Sequence, residues 1–161
     1  MSGRGSAGCA GLISATVLFA AVASAEESWL QFKYDCRRSG NVPERAVASG
    51  LGLVGAVAAT DSILSSPVVD GGRVYVVDAA GVALGIDAAT LRVLWRFQSP
   101  GGNANCSNVS SPALAGRYLH FGTMAGRYYV LDAATGAVVR DIPCGEPIFS
   151  APAVVGDRVY F

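Results

Sequence analysis

Between residues 65 and 141 the chain alternates short apolar runs with tight polar turns. In the first half of this stretch the apolar runs cover residues 67–69, 74–77, 82–86 and 92–97. β-Branched and aromatic residues dominate the runs, and none is long enough to favour a helix. The pattern therefore predicts four short strands joined by turns, which together form an antiparallel meander.

The same pattern recurs along the chain and predicts a repeat architecture. Each copy opens with a proline, carries a glycine four residues later and an apolar residue seven residues later. The second copy follows the first after 45 residues, and the third follows the second after 40. A period of about 40 to 45 residues is typical of the blades of a β-propeller. The opening prolines are Pro67, Pro112 and Pro152, and the turn glycines are Gly71, Gly116 and Gly156.

One element of the repeat resembles a known family. Residues 84–95 read Leu-Gly-Ile-Asp-Ala-Ala-Thr-Leu-Arg-Val-Leu-Trp and contain Asp87 and Trp95. They resemble the A-x-D-x-x-T-G-x-x-x-W element of the PQQ-like β-propeller repeat proteins, in which the tryptophan docks between neighbouring blades. The second copy keeps Asp132 and the glycine that follows it, but Arg140 stands where the tryptophan would fall.

The N-terminal part of the chain extends this resemblance. Residues 29–32, Trp-Leu-Gln-Phe, resemble the W-x-Q-F start that often precedes the first blade in this family. The resemblance covers residues 29–161 and implies an all-β fold, a β-propeller of PQQ-like four-stranded blades.

The length of the chain predicts an incomplete propeller. Closed propellers use four to eight blades, and at about 40 residues per blade the seven or eight blades usual for this family need about 300 residues. We expect two full blades, at residues 65–109 and 110–149, and the start of a third at 150–161. The N-terminal segment, 26–64, includes an apolar run at 51–59 that is expected to serve as a closing strand.

The first 25 residues have the pattern of a signal peptide. Arg4 supplies a positive charge, an apolar run follows at 11–23, and Ala23-Ser24-Ala25 fits a signal-peptidase site before Glu26. The run is short for a membrane span, although an uncleaved anchor is the alternative. We therefore expect an exported protein, periplasmic or extracellular, with no stable membrane span in the mature chain.

Composition and charge exclude two broad classes of protein. Of the 161 residues 52% are hydrophobic and 15% charged, and 12 basic residues balance 12 acidic ones. Intrinsic disorder needs low hydrophobicity and high net charge, and nucleic-acid binding leaves a basic footprint. The sequence shows neither, so no nucleic-acid partner is expected.

The cysteines allow at most one internal disulfide after removal of the signal peptide. Cys36, Cys106 and Cys144 remain, and disulfides form in exported proteins. Cys106 and Cys144 precede repeat prolines by six and eight residues, which places both in the crossovers that enter successive blades. The sequence predicts a Cys106–Cys144 bridge, with Cys36 free or paired elsewhere. With no CxxC pair and a single histidine, no metal site is predicted.

The other polar residues of the repeat are interpreted as structural. Asp87 and Asp132 hold matched positions, so each is expected to cap its own turn. Trp95 is interpreted as packing between blades. His120 aligns with tyrosines of the other copies and is expected to be packed in the sheet. No catalytic residue is predicted.

A loop ahead of the second blade concentrates amide side chains. Residues 101–108 are five residues longer than their counterpart before Pro152 and include Asn103, Asn105 and Asn108. Asparagine both donates and accepts hydrogen bonds, which suits peptide or sugar ligands as well as capping of the loop itself. Contact with a protein or carbohydrate ligand and structural capping both remain open.

Three functions are compatible with these features. The first is an exported, non-catalytic binding or scaffold module that needs no cofactor. The second is part of a quinoprotein dehydrogenase, for which the resemblance implies pyrroloquinoline quinone with calcium, although the vicinal cysteine pair typical of those enzymes is missing. The third is a sensor propeller attached to another domain.

Overall fold

The computed structural model describes residues 28–42, 50 and 52–161. The predicted signal peptide lies outside the described residues. The structure contains two four-stranded antiparallel sheets and a two-stranded hairpin. This arrangement confirms the prediction of an all-β, incomplete propeller.

The two four-stranded sheets are blade 1, at residues 68–98, and blade 2, at residues 113–143. They share one topology, in which each strand pairs with the next along the chain. A short 3₁₀ helix, Gly102–Asn105, lies in the crossover between them. The first two strands of a third blade follow blade 2. Blade 1 consists of β1 (Val68–Asp70), β2 (Arg73–Val77), β3 (Val82–Asp87) and β4 (Val93–Gln98); blade 2 of β5 (Ala113–Ala115), β6 (Tyr118–Gly122), β7 (Arg127–Asp132) and β8 (Val138–Pro143); and partial blade 3 of β9 (Ala153–Val155) and β10 (Arg158–Tyr160).

The blades repeat their irregularities as well as their strands. The turn between the first two strands contains a glycine with φ of 53° at Gly71, 55° at Gly116 and 60° at Gly156. A side chain is strained in this left-handed region, which explains why the glycine recurs. The third and fourth strands shift register at the same repeat position, between Gly85 and Ile86 in blade 1 and between Val130 and Leu131 in blade 2.

The main core lies between blade 1 and blade 2. Side chains on one face of blade 1 pack against those on the facing side of blade 2, and all are buried. Removal of this apolar surface from water is the main force that joins the blades. The cluster comprises Val68, Tyr75, Val77, Ala83 and Trp95 from blade 1, and Leu114, Leu119, Phe121, Tyr129, Leu131 and Ala133 from blade 2.

The opposite face of blade 1 is covered by the segment expected to be a closing strand. Val57 and Ala59 pack against a second buried cluster on β2 and β3. The described part of this segment, residues 52–59, is not paired with a strand. It contributes side-chain packing to blade 1, and its role as a closing strand stays a prediction.

Candidate functional site

The amide-rich crossover loop folds inward. Asn105 is fully buried, and its Nδ2 lies 3.0 Å from Ser99 Oγ and 3.3 Å from the carbonyl oxygens of Ser99 and Pro100. Its Oδ1 accepts a hydrogen bond from the main-chain N–H of Ala125 at 3.3 Å. Asn105 thus joins the end of blade 1 to a turn of blade 2, which is the capping role that the sequence left open.

Only one of the three loop amides is exposed. Asn103 lies on the surface, whereas Asn108 is fully buried. The main-chain N–H of Asn108 donates to the carbonyls of Ala79 and Asn105, and its side-chain amide has no hydrogen-bond partner among the described residues. The loop turns the side chains of Asn105 and Asn108 into the protein, so Asn103 is the exposed member of the three, and contact of these amides with a ligand stays a prediction.

The predicted Cys106–Cys144 bridge is not formed. Both thiols are exposed and free, as is that of Cys36. Cys106 ends the 3₁₀ helix, while Cys144 directly follows β8, the outermost strand of blade 2. The main-chain N–H of Cys144 donates to the carbonyl of Gly126 at 2.8 Å, so Cys144 belongs to the edge of the sheet instead of an inner crossover.

The repeat aspartates cap their own turns. Asp87 Oδ1 accepts hydrogen bonds from the main-chain N–H groups of Ala89 and Thr90 and from the Thr90 hydroxyl. The hydrogen bonds from Thr90 hold the pKa of Asp87 below its usual value. Asp132 makes the same turn and also pairs with Arg117, whose guanidinium is the main cause of the lowered pKa of Asp132.

Trp95 lies between the two complete blades. Its indole Nε1 donates to the carbonyl of Ala133 in blade 2 at 2.9 Å, and the side chain is buried. A Cβ on Gly136 would lie 2.6 Å from the ring, and one on Gly85 would lie 2.3 Å from it. Both glycines are therefore required for the tryptophan to fit between its own sheet and the next blade.

The segment that precedes blade 1 reverses this arrangement. Gly55 stands twelve residues before its repeat proline, the spacing that also separates Arg140 from Pro152, so Gly55 holds the repeat position of the tryptophan. Its partner is Leu91, at the repeat position of Gly136, and a Cβ on Gly55 would lie 2.3 Å from Leu91 Cδ1. At this interface the large side chain is Leu91, in a turn of blade 1, and the residue that docks against it is Gly55.

His120 is packed on the face of blade 2 that points toward blade 3. Its Nδ1 lies 3.3 Å from the hydroxyl oxygen of Tyr128, and burial lowers the pKa of His120. Tyr128 in turn stacks on Phe161 with ring centroids 4.0 Å apart, and burial raises its pKa. His120 and Tyr128 together fill space between blades. The other copies have tyrosine at the repeat position of His120.

Sequence reasoning did not identify Asp78. This buried carboxylate accepts four main-chain hydrogen bonds, two at each oxygen: from Ala80 and Val82 at Oδ1 and from Thr60 and Asp61 at Oδ2. It thereby attaches the N-terminal segment to blade 1. The only sequence signal was the Asp-x-x-Gly turn itself, since the second copy has Thr123 at the same repeat position.

Three consecutive blades expose an apolar side chain at the same repeat position. Leu64, Val109 and Phe149 each lie three residues before a repeat proline, and their exposed fractions are 52%, 37% and 62%. All three line one groove of about 550 Å³, together with Phe32 and Arg38 from the N-terminal segment. We refer to Leu64, Val109 and Phe149 as the crossover row.

Two features are absent from the part of the chain that the structure describes. None of its helices has both the length and the apolar character needed to cross a membrane. No three of its His, Cys, Asp or Glu side chains lie close enough to share a metal ion.

Most of the chain matches the model of one protein family. Residues 53–161 match the family model described as outer membrane protein assembly factor BamB. The chain belongs to the BamB family of PQQ-like propeller repeats. No curated protein matches this BamB-family chain in sequence.

Solved structures resemble the BamB-family chain over most of its length. BamB from Moraxella catarrhalis is 27% identical with a TM-score of 0.57, and the match covers 65% of this chain and 35% of that protein. The quinohemoprotein alcohol dehydrogenase from Comamonas testosteroni is 24% identical with a TM-score of 0.63, and ADHIIG from Pseudomonas putida HK5 is 19% identical with a TM-score of 0.69. Each of these two matches covers 82% of this chain and 22% of the enzyme.

These relatives are much longer than the chain. It spans about a third of BamB and about a fifth of the two dehydrogenases. At their low identity, the dehydrogenases show a shared propeller fold and no more.

Proposed function

We propose that the chain is part of an exported propeller that binds other proteins without catalysing a reaction, and that the crossover row is its contact surface. The observation that carries this proposal is the exposed apolar side chain at the same position of three successive blades. Export is supported by the signal-peptide pattern of residues 1–25. It is also supported by membership of a family whose description is outer membrane protein assembly factor.

Physical chemistry favours a protein partner over a sugar. Contiguous exposed apolar surface commonly marks a protein–protein contact, and the crossover row aligns three such side chains in one groove. The amides that suggested a carbohydrate ligand are mostly buried, since only Asn103 remains exposed. The partner is therefore a polypeptide that places apolar side chains over the row.

A dehydrogenase that holds pyrroloquinoline quinone with calcium is the second candidate, because the chain shares its fold with two quinohemoprotein enzymes. The described residues supply no cluster of three metal-ligating side chains. The scaffold function is preferred because the crossover row is a feature of this chain itself, whereas its likeness to the dehydrogenases is one of fold alone.

Site-specific photocrosslinking in the exporting cell tests the contact surface. A photoreactive residue at Val109, in the crossover row, is expected to form an adduct with one defined protein, which mass spectrometry identifies. The same residue at Val138, an exposed valine on β8, serves as the control and is expected to form none. Equal adducts at both positions, or none at Val109, would contradict the proposal.

Variants then connect the adduct to the row. With the identified partner purified, Val109→Asp or Phe149→Asp is expected to weaken binding at least tenfold, and Val138→Asp less than twofold. A separate titration with pyrroloquinoline quinone and Ca²⁺ addresses the second candidate. Tight binding of the quinone together with reduction of an electron acceptor by an alcohol would favour the dehydrogenase instead.

A further inference from the structure

Successive residues of the N-terminal segment bind the same repeat position in three blades. We refer to residues 28–33 as the strap. Three residues of the strap make these contacts: Trp29, Leu30 and Gln31. Their partners are Val69 in β1, Leu114 in β5 and Val154 in β9. Each partner lies two residues after a repeat proline. The strap thus crosses one equivalent point of each blade in chain order.

The first two contacts are made by the main chain. Trp29 donates to the carbonyl of Val69 at 2.7 Å and accepts from its N–H at 2.9 Å, as in an antiparallel bridge. The carbonyl of Leu30 accepts from the N–H of Leu114 at 2.7 Å. These are the hydrogen bonds that an added β-strand would make with a sheet edge.

The third contact uses a side chain in place of the main chain. The carboxamide of Gln31 accepts from the N–H of Val154 at 2.8 Å and donates to its carbonyl at 3.2 Å. The main chain turns back after this residue, with positive φ at Lys33 and Tyr34 and a hydrogen bond from Tyr34 N–H to the Gln31 carbonyl. A carboxamide carries one acceptor and one donor group, as a peptide group does, and so replaces it at the third blade.

The bound groups form one continuous surface. β1, β5 and β9 are the first strands of their sheets and lie at the sheet edge, where N–H and C=O groups lack a partner within their own sheet. β5 and β9 are in contact with each other. The three edges therefore present a row of equivalent donors and acceptors, which we refer to as the inner-edge site.

The strap also borders an open groove beside this site. Trp29 and Phe32 face Pro67 and Val69 across a mainly apolar space of about 550 Å³. The strap side chains thus add apolar contact to the main-chain hydrogen bonds, a combination in which the backbone gives affinity and the pockets give specificity.

We propose that the inner-edge site is a binding site for an extended peptide, and that the strap is the ligand the chain carries for it. The site binds a segment in which one residue exchanges two main-chain hydrogen bonds with β1 and the residue two positions later is a glutamine. A partner segment of this chemistry binds after the strap has left, so the strap controls access. The inner-edge site consists of main-chain groups of β1, β5 and β9, whereas the crossover row consists of side chains, although Phe32 of the strap also lines the groove at the row. Peptide binding tests the site, and the Val109→Asp and Phe149→Asp variants test the row.

The test supplies the strap as a separate peptide. A fluorescent peptide of residues 28–35 is titrated against the full chain and against a full-length Trp29→Pro/Gln31→Ala variant, which lacks the N–H of residue 29 and the carboxamide. The variant is expected to bind the peptide at least tenfold more tightly than the original chain, whose site is occupied. A peptide with Gln31→Ala is expected to bind the variant at least tenfold more weakly. Arg37→Ala in the full chain, at an exposed residue beyond the strap, is the matched control and is expected to behave like the original.

Amide hydrogen exchange gives a second measurement that does not depend on the double variant folding. In full-length Gln31→Ala, the N–H of Val154 is expected to lose protection while that of Val69 keeps it, because the main-chain hydrogen bonds of Trp29 remain. A folded double variant that does not bind the peptide would overturn the proposal. So would unchanged protection of the Val154 N–H in the single variant.

Discussion

Leu91 holds a backbone conformation that suits glycine. Its φ is 58°, and the second blade has Gly136, with φ of 73°, at the same repeat position. A left-handed conformation costs an L-residue about 1–2 kcal/mol. The contact with Gly55 gives a reason for the leucine, because its side chain fills the space that a docking side chain occupies at the next interface.

Two substitutions separate the backbone strain at Leu91 from its packing. Leu91→Ala removes the packing and keeps the strain, whereas Leu91→Gly removes both. We expect Leu91→Gly to be more stable than Leu91→Ala by about 1 kcal/mol. Urea unfolding of both variants measures the difference. In an ordinary strand the alanine variant is the more stable of the two. A Leu91→Ala variant more stable than Leu91→Gly would therefore contradict the backbone strain inferred at Leu91.

His120 is expected to make stability depend on pH. Burial lowers its pKa in the folded state below the ordinary value of 6.5, so the unfolded chain binds the proton more readily. The contribution of the neutral imidazole is complete above about pH 6.5 and is lost as the pH falls toward the folded-state pKa. Chemical unfolding at a series of pH values between about 8 and 5 measures this loss.

His120→Tyr is the matched control for this experiment. It restores the residue found at the same position in the other copies and removes the only histidine of the chain. The fall in stability between about pH 6.5 and 5 is expected to disappear in this variant. An unchanged fall would assign the effect to other groups.

At the scale of the elements, Asp78 attaches the N-terminal segment to blade 1. Asp78→Asn keeps the size of the side chain but replaces one acceptor oxygen by a donor that faces main-chain N–H groups. Buried donors without partners cost about 1–3 kcal/mol each, so we expect a loss of about 3 kcal/mol and faster amide exchange at Thr60 and Asp61. Asp61→Asn, at an exposed carboxylate, is the control and is expected to cost less than about 0.5 kcal/mol.

Trp95 joins blade 1 to blade 2 by packing and by one hydrogen bond. Trp95→Phe removes the donor to Ala133 and is expected to cost about 1 kcal/mol. Trp95→Ala also removes the ring and is expected to cost about 3–5 kcal/mol. Thermal unfolding gives both values. Equal losses for the two variants would indicate that the hydrogen bond, and not the packing, holds the interface.

At the scale of the whole molecule, partial blade 3 presents an exposed surface. Among the described residues β10 pairs only with β9, and Val155 and Tyr160 of this hairpin are exposed. An unpaired strand edge with apolar side chains favours association with other chains. We expect the chain to self-associate as its concentration rises.

Sedimentation velocity measures this association. Tyr160→Lys places a charge on the edge strand and is expected to shift the chain toward monomer. Tyr118→Lys, at an exposed tyrosine on β6, introduces the same charge away from that edge and is expected to leave the association unchanged. If both variants sediment like the original chain, β10 is not the contact.

Local patterns determined the repeat of this protein. The strand periodicity, the turn glycines and the repeat aspartates depend on contacts between residues close in sequence, such as Asp87 with Thr90. The spacing of the prolines was therefore enough to predict the blades and the propeller fold. The tryptophan's place between blades came from the family resemblance.

Only the tertiary structure decided where the other polar groups lie. The carboxamide of Gln31 meets Val154 across 123 residues, and Asn105 reaches Ala125 across 20. No local pattern marks such partners, because they are set by how one blade lies against the next and by the path of the N-terminal segment. The burial of Asn108, the position of Cys144 at a sheet edge and the hydrogen bonds of Asp78 to Thr60 and Asp61 escaped prediction for the same reason. The sequence determined the strands, and the packing between blades determined which side chains remain available for binding.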